Sequence, residues 1–127
     1  MATALVVDDS RSMRMILSGA LKKLGFEVRE AANGKEALLM AEAGKGIITL
    51  ALVDWNMPEM DGLELVKRLR ENPEFSSVVI VMVTAETEMS RIAEALNAGA
   101  DEYVMKPFTN EILVDKLELT GIHPCGA

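Results

Sequence analysis

Short apolar runs rich in β-branched residues alternate along the chain with segments whose apolar positions repeat at helical spacing. Five such runs predict five strands: Leu5–Val7, Phe26–Val28, Leu50–Val53, Val78–Val83 and Tyr103–Met105. The helical segments are marked by Ile16, Leu17, Ala20, Leu21 and Leu24; by Ala37, Leu38 and Ala41; by Leu65, Val66 and Leu69; by Ile92, Ala95 and Leu96; and by Ile112, Leu113 and Leu117. The pattern therefore predicts a strand–helix unit repeated five times.

Residues that favour helix ends lie between these elements. Gly25 follows the first helical segment, Asn33 precedes the second and Thr109 precedes the fifth. Asp61 and Glu64 have the spacing of a capping box before the third segment. The positions of these helix-capping residues agree with the alternating pattern of strands and helices.

The first, third and fourth apolar runs are continuous, so both faces of these strands are expected to be covered. Strands of this kind are typical of a parallel sheet with helices on both sides. The predicted fold is therefore α/β, a (βα)5 doubly wound five-stranded parallel sheet.

Composition limits the functions open to this fold. The chain has 127 residues, 50% of them apolar, which suits one domain with a sizeable core. We expect residues 1–120 to form a single domain and residues 121–127 to be a frayed C-terminal tail. A net charge of −7 argues against nucleic-acid binding, because phosphate backbones attract positive surfaces. Cys125 is the one cysteine, and neither a signal peptide nor a membrane span is evident, so we expect a cytoplasmic protein.

Polar side chains follow four of the predicted strands. Asp8 and Asp9 come after the first strand, Asp54 after the third, Thr84 after the fourth and Lys106 after the fifth. Ligands bind at the carboxyl ends of the strands in doubly wound sheets, so these groups are expected to share one edge. If the first and third strands are neighbours, Asp9 and Asp54 both ionise readily only with a cation between them, and carboxylate oxygens suit Mg²⁺. A carboxylate beside a metal and a lysine can act as a phosphate-accepting nucleophile.

Five segments, in this order, resemble the motifs of the response-regulator receiver domains, in particular the stand-alone chemotaxis (CheY) type. These segments are Val6–Ser10, Asp54–Pro58, Met60–Glu64, Val83–Glu86 and Tyr103–Thr109. The resemblance implies the flavodoxin-like (CheY-like) strand order 2-1-3-4-5 and a cis peptide bond between Lys106 and Pro107.

The resemblance also implies a role for each candidate residue. Asp54 would be the phospho-acceptor, with Thr84 and Lys106 contacting the phosphoryl oxygens. The implied Mg²⁺ ligands are Asp8, Asp9, Asp54 and the backbone carbonyl of Asn56. Tyr103 would be the aromatic residue of the switch, following the Thr84 hydroxyl, and Asn56 and Glu86 would tune loss of the phosphoryl group. The implied output face, formed by the fourth helix, fifth strand and fifth helix, would present Glu88, Met89, Ile92, Tyr103 and Lys116.

A protein of this type is a signalling switch that catalyses only its own phosphorylation and dephosphorylation. Because the only histidine, His123, lies in the tail, the phosphodonor is expected to be another protein, a sensor histidine kinase of the CheA type, or a small acyl phosphate. The downstream partner would be a protein, with the flagellar motor switch as one candidate. Gly121 and Pro124 shorten the last helix and the output face is not clearly basic, so a second kinase or enzyme as target, or a role as phosphate sink, stays open.

Each candidate residue has an ordinary structural explanation when taken singly. Asp9 or Ser10 could cap the first helix, and Met57, Met60, Met82 and Met105 fit core positions. Two other functions occur with similar folds or chemistry. An aspartyl phosphatase would need its nucleophile after the first strand and a cap domain, and a flavin carrier would need a Ser-, Thr- and Gly-rich phosphate loop where this chain has two aspartates. The convergence of four strand ends favours the receiver.

Overall fold

The computed structural model of the chain describes residues 2–44, 46–57, 60–85 and 91–122. Its strands are β1 (Thr3–Val7), β2 (Glu27–Ala31), β3 (Ile48–Asp54), β4 (Val79–Thr84) and β5 (Glu102–Met105). Its helices are α1 (Arg11–Lys23), α2 (Gly34–Ala43), α3 (Gly62–Glu71), α4 (Ile92–Ala98) and α5 (Asn110–Leu119), with a 3₁₀ turn at Pro73–Phe75. Strands and helices alternate as the sequence predicts.

These strands form a parallel sheet in the order β2-β1-β3-β4-β5, which confirms the predicted doubly wound fold. Helices α1 and α5 cover one face of the sheet, where Leu17 and Leu113 are fully buried. Helices α2, α3 and α4 cover the other face through residues such as Ala37, Leu65 and Ala95. Strand β1, an interior strand of the sheet between β2 and β3, is buried along its whole length, as the continuous apolar run predicts.

The predicted helix starts are confirmed by hydrogen bonds from capping side chains. The side-chain oxygens of Asn33, Asp61 and Thr109 each accept a hydrogen bond from a backbone N–H in the first turn of α2, α3 and α5. Ser10 caps α1 in the same way by accepting from the N–H of Met13. These caps fix where each helix leaves the edge of the sheet.

The edge strand β2 differs from its predicted position. It runs from Glu27 to Ala31 and not from Phe26 to Val28, because pairing with β1 fixes its register and the polar residues of an edge strand interrupt the apolar pattern. Met105 is also exposed, although the sequence predicts a core position for it, because β5 is the other edge strand.

The C-terminal part of the chain agrees with the expected short last helix. Helix α5 ends at Leu119, and Gly121 follows with φ of 90°, a backbone conformation that glycine adopts readily. The remainder of the expected tail, 123–127, which includes His123, Pro124 and Cys125, lies outside the described residues. The peptide bond between Lys106 and Pro107 is cis, as the resemblance implies. Across the described ranges, no helix has the length and apolar character needed to cross a membrane.

Candidate functional site

Three carboxylates meet at the carboxyl edge of the two central strands. β1 and β3 pair with Val7 opposite Val53, so the residues that follow, Asp8 and Asp54, come out of the sheet side by side. One carboxylate oxygen from each of Asp8, Asp9 and Asp54 lies within 4.8 Å of the others. Asp8 and Asp54 are buried, whereas Asp9 is exposed. This is the edge at which the sequence predicts a ligand site.

Lys106 brings a positive charge to the same place. Its Nζ atom lies 3.0 Å from Oδ1 of Asp54 and 3.4 Å from Oδ2 of Asp8. The backbone N–H of Lys106 donates to the carbonyl oxygen of Thr84, which ties the loop after β5 to the end of β4. The lysine side chain therefore reaches from the edge strand to the two central strands.

The electrostatic environment alters the protonation of both partners. Burial raises the pKa of Asp54 from 3.8 to about 6, and the negative charges of Asp8 and Asp9 act in the same direction, against the hydrogen bond and charge of Lys106. Burial lowers the pKa of Lys106, but the hydrogen bond to Asp54 and the charges of Asp54 and Asp8 outweigh it and leave that pKa above 10.5. At neutral pH the pair is therefore mostly a carboxylate facing an ammonium group.

The carboxylates line an open cleft at the top of the sheet. The cleft is lined by Asp8, Asp9, Ser10, Asp54, Trp55, Asn56, Ala85 and Lys106. Among these, Asn56 is exposed and lies one residue beyond Trp55 after the end of β3, so its position is compatible with a carbonyl ligand for a cation. An open polar cleft of this kind admits a charged group from solvent to the carboxylate of Asp54.

Thr84 lies at the end of β4 but does not line the cleft. Its side chain is fully buried, and its hydroxyl oxygen has no hydrogen-bond partner among the described residues. A buried hydroxyl without a partner loses the hydrogen bonds that it makes to water in the unfolded chain. Within the part of the chain that the structure describes, the Thr84 hydroxyl is therefore an unused hydrogen-bond donor. The next residue in the chain, Ala85, lines the cleft.

Trp55, directly after Asp54, is enclosed beneath the site. It is 1% exposed, and its backbone oxygen accepts a hydrogen bond of 2.8 Å from the N–H of Gly62 at the start of α3. A Cβ atom at Gly62 would collide with the carbonyl oxygen of Asp54, so only glycine fits there. The guanidinium of Arg91 lies 4.6 Å from the centre of the Trp55 ring, a contact that sequence patterns do not predict.

The predicted output face is reproduced only in part. Tyr103 is half-buried, and Nζ of Lys116 lies 4.3 Å from the centre of its ring and 3.4 Å from Oε1 of Glu102. The prediction that Ile92 is presented there is wrong, because Ile92 and Ala95 form the buried side of α4. Of the other predicted residues, Glu86, Glu88 and Met89 lie outside the described residues.

Two exposed apolar residues at this face were not predicted. Met105 and Ile112 are 37% and 43% exposed, and with Tyr103 and Lys116 they line a shallow groove beside Lys106 and Pro107. The sequence signal for these positions is the alternation along β5, in which Val104 is buried, Tyr103 is half-buried and Met105 is exposed. The groove lies beside the strand end that carries Lys106.

Comparisons with known proteins agree with this geometry. The family profile described as "Response regulator receiver domain" matches residues 4–118. The chain is 45% identical over 116 residues to chemotaxis protein CheY1 of Helicobacter pylori, a match that covers 91% of this chain and 93% of that protein. It is 44% identical over 115 residues to a chemotaxis protein CheY homolog of Campylobacter jejuni, with 90% and 88% of the two chains covered.

A solved structure has the same architecture. The chemotaxis response regulator CheY4 of Vibrio cholerae superposes with a TM-score of 0.86 at 38% identity, over 94% of this chain and 98% of that one. Receivers of this type are signalling switches that take phosphoryl groups from histidine kinases and act on downstream targets. Asp54, the carboxylate nearest to the ammonium of Lys106, ends the third strand, whereas the phosphatase alternative places its nucleophile after the first strand. The chain belongs to the response regulator receiver domain family and is a CheY-type receiver of two-component signalling.

Proposed function

We propose that Asp54 is the phospho-acceptor of this receiver and that residues 1–120 act as one switch domain in the cytoplasm. The observation that carries the proposal is the buried carboxylate of Asp54, which faces the ammonium of Lys106 at 3.0 Å in an open acidic cleft. The phosphodonor is a sensor histidine kinase of the CheA type. Small acyl phosphates serve as donors in its absence.

We further propose that the cleft binds Mg²⁺. Three carboxylate oxygens within 4.8 Å of one another, two of them on buried residues, are an unfavourable concentration of negative charge that a divalent cation relieves. The hard oxygen donors suit Mg²⁺, which keeps several waters and binds one or two carboxylates together with a phosphate. Asp8, Asp9, Asp54 and the backbone carbonyl of Asn56 would hold it. When bound, the cation neutralises charge on the phosphoryl group as it is transferred.

In the transfer itself, an ionised carboxylate oxygen of Asp54 forms a bond to phosphorus as the donor's P–N or P–O bond breaks. The electron pair of that bond leaves with the donor, as imidazole from phosphohistidine or carboxylate from an acyl phosphate. Because the pKa of Asp54 is about 6, its carboxylate is mostly ionised at neutral pH and more basic than an ordinary aspartate. Lys106 stabilises the phosphoryl oxygens by its charge. Water later hydrolyses the aspartyl phosphate, at a rate that Asn56 and Glu86 tune.

The switch then acts through Thr84 and Tyr103 on the face formed by α4, β5 and α5, which binds a downstream protein. We propose chemotaxis as the process, on the strength of relatives named as chemotaxis proteins that are 44–45% identical. The flagellar motor switch is the first candidate target. On this face Lys116 lies 3.4 Å from Glu102, so its charge is partly neutralised. Control of another kinase or enzyme, or a role as phosphate sink, is the alternative for the output.

Incubation with a small acyl phosphate tests the proposal directly. We expect the intact mass of the protein to rise by one phosphoryl group in the presence of Mg²⁺ and to stay unchanged with a chelator, because in-line transfer requires mainly positioning and charge neutralisation. Asp54→Asn removes the nucleophile and should abolish the adduct. A phosphoryl adduct that persists in Asp54→Asn would contradict the assignment of the acceptor.

Binding of Mg²⁺ should be visible in the fluorescence of Trp55, the only tryptophan, which directly follows Asp54. We expect a saturable change in emission on titration with Mg²⁺. Asp9→Ala should weaken the apparent affinity strongly, because it removes one of the three carboxylates. Asp115→Ala removes an exposed carboxylate on α5 and controls for net charge. Equal Mg²⁺ affinity in Asp9→Ala and the parent protein would place the cation elsewhere.

A further inference from the structure

The backbone and the side chain of Asp8 are both fixed by neighbouring groups. Its N–H donates to the carbonyl of Ala31 on β2 at 3.1 Å. Its carboxylate accepts from the N–H of Ser10 at 2.8 Å through Oδ1 and faces Nζ of Lys106 at 3.4 Å through Oδ2. With a residue exposure of 1%, Asp8 is held in one orientation before any ligand arrives.

The remaining polar group of Asp8, its carbonyl oxygen, is held by Arg14. Nη1 of Arg14 donates to this oxygen at 2.7 Å, and Nε of the same guanidinium lies 3.3 Å from Oε1 of Glu30 on β2. The Arg14 side chain is 17% exposed, so the guanidinium is largely enclosed between α1 and β2. One planar group therefore joins the turn after β1 to the adjacent strand.

We propose that Arg14 is a positioning residue for the cation site, acting through the backbone of Asp8. This inference rests on the proposed Mg²⁺ function. By fixing the peptide of Asp8, Arg14 aims the carboxylate at the cleft, so binding of Mg²⁺ needs little rearrangement. Partners that orient a ligand without touching the metal commonly contribute a factor of about 10 or more to metal affinity.

The positive charge of Arg14 would have the opposite effect on Mg²⁺ affinity, so an experiment can distinguish positioning from electrostatic repulsion. A positive charge near three carboxylates repels a second cation, so removal of the charge alone would strengthen Mg²⁺ binding. Positioning predicts weaker binding after the same change. The direction of the change in Kd therefore decides which effect dominates.

The experiment measures the Kd for Mg²⁺, by Trp55 fluorescence and by calorimetry, in the full chain and its variants. Arg14→Met keeps the apolar stem and should raise the Kd about tenfold. Arg14→Lys keeps the charge and one donor group but cannot contact the Asp8 carbonyl and Glu30 as a fork does, so it should restore part of the affinity. Arg11→Met removes an exposed positive charge from the same helix and should leave the Kd equal or slightly lower.

A structural control separates positioning from general loss of stability. Ala20→Gly destabilises α1 at a buried position without altering the Asp8 contacts and should leave the Kd unchanged. If Arg14→Met does not fold, Arg14→Lys is the test. A Kd for Mg²⁺ above that of the parent protein supports positioning by Arg14, and an unchanged Kd contradicts it. An Arg14 variant that binds Mg²⁺ as tightly as the parent protein overturns the inference, whereas a parent protein that does not bind Mg²⁺ overturns the proposed function itself.

Discussion

Replacing Asp54 by asparagine is expected to stabilise the metal-free protein at neutral pH by about 3 kcal/mol. The folded state raises the pKa of Asp54 from 3.8 to about 6, which is a difference of about 2 units at 1.36 kcal/mol each. The folded protein therefore holds the proton more tightly than the unfolded chain does. Stability from this group is complete below pH 3.8, falls as the pH rises toward 6, and is absent above it. Asparagine resembles the protonated acid and avoids that loss.

Urea unfolding in the presence of a chelator, at several pH values between 4 and 8, measures this effect. The difference between Asp54→Asn and the parent protein should be small at pH 4 and reach its full value near pH 7. In thermal unfolding it corresponds to a rise in Tm of roughly 10 °C. Asp115→Asn removes an equal but exposed charge and should change stability by less than about 0.5 kcal/mol. If the difference in unfolding free energy between Asp54→Asn and the parent protein does not depend on pH, ionisation of the Asp54 carboxylate is not what lowers the stability of the parent protein.

Mg²⁺ should reverse the order of stability. Binding to the folded state stabilises the parent protein in proportion to the logarithm of the cation concentration, whereas a variant that lacks one ligand gains less. Under the proposed function, the acidic cluster that lowers stability in the metal-free protein is also the group of residues that would bind the cation.

The sequence predicts the parts of this molecule that depend on local or alternating patterns. The helix caps at Asn33, Asp61 and Thr109 are local, because one side chain bonds a backbone group three residues away. The positions of Asp8 and Asp54 follow from strand order, since adjacent parallel strands end at one edge. Motif resemblance was needed to obtain that order.

Features that depend on how elements pack could not be predicted in the same way. The rotation of α4 buries Ile92 and leaves Leu96 40% exposed, although both fit the same helical pattern. The reach of Arg14 to the Asp8 carbonyl depends on how α1 lies against β2. The position of Lys116 over the Tyr103 ring depends on how α5 packs against β5. The partners of long arginine and lysine side chains depend on tertiary structure, and the spacing of residues in the sequence does not specify them.

The buried hydroxyl of Thr84 suggests how the proposed phosphorylation at Asp54 would reach the predicted output face. Oγ1 has no hydrogen-bond partner among the described residues, so a phosphoryl oxygen would supply one. Tyr103 lies on the adjacent strand opposite Met82, two residues before Thr84. We expect its ring to fill the space that a displaced Thr84 side chain would vacate. Shifting a switch from 1:99 to 99:1 takes about 5.5 kcal/mol, and one hydrogen bond to a charged group supplies about 1.5–3 kcal/mol. Thr84 therefore cannot act alone, and Lys106 must contribute much of the remainder.

We accordingly expect both Thr84→Ala and Lys106→Ala to accept phosphate on Asp54. In both variants, phosphorylation should cause little of the conformational change at Tyr103. Lys106→Ala should react more slowly at neutral pH, because loss of the ammonium at 3.0 Å leaves the Asp54 carboxylate less ionised. Tyr103 is the only tyrosine, so fluorotyrosine labelling gives a single ¹⁹F resonance for the switch. Beryllofluoride, a phosphoryl mimic, should shift that resonance fully in the parent protein, while Trp55 fluorescence reports loading in every variant.

In Thr84→Ala the ratio of switched to unswitched protein after loading should fall about 10- to 100-fold, the equivalent of one charge-assisted hydrogen bond. Thr49→Ala, at an exposed position of β3 near the opposite end of the sheet, is the matched control and should behave as the parent protein does. The same variants should lose most of the phosphorylation-dependent gain in affinity for the downstream target. If either Thr84→Ala or Lys106→Ala is loaded with beryllofluoride and still shows the complete Tyr103 shift, coupling runs by a route that does not use that residue, because the remaining groups then supply the whole free energy of the switch.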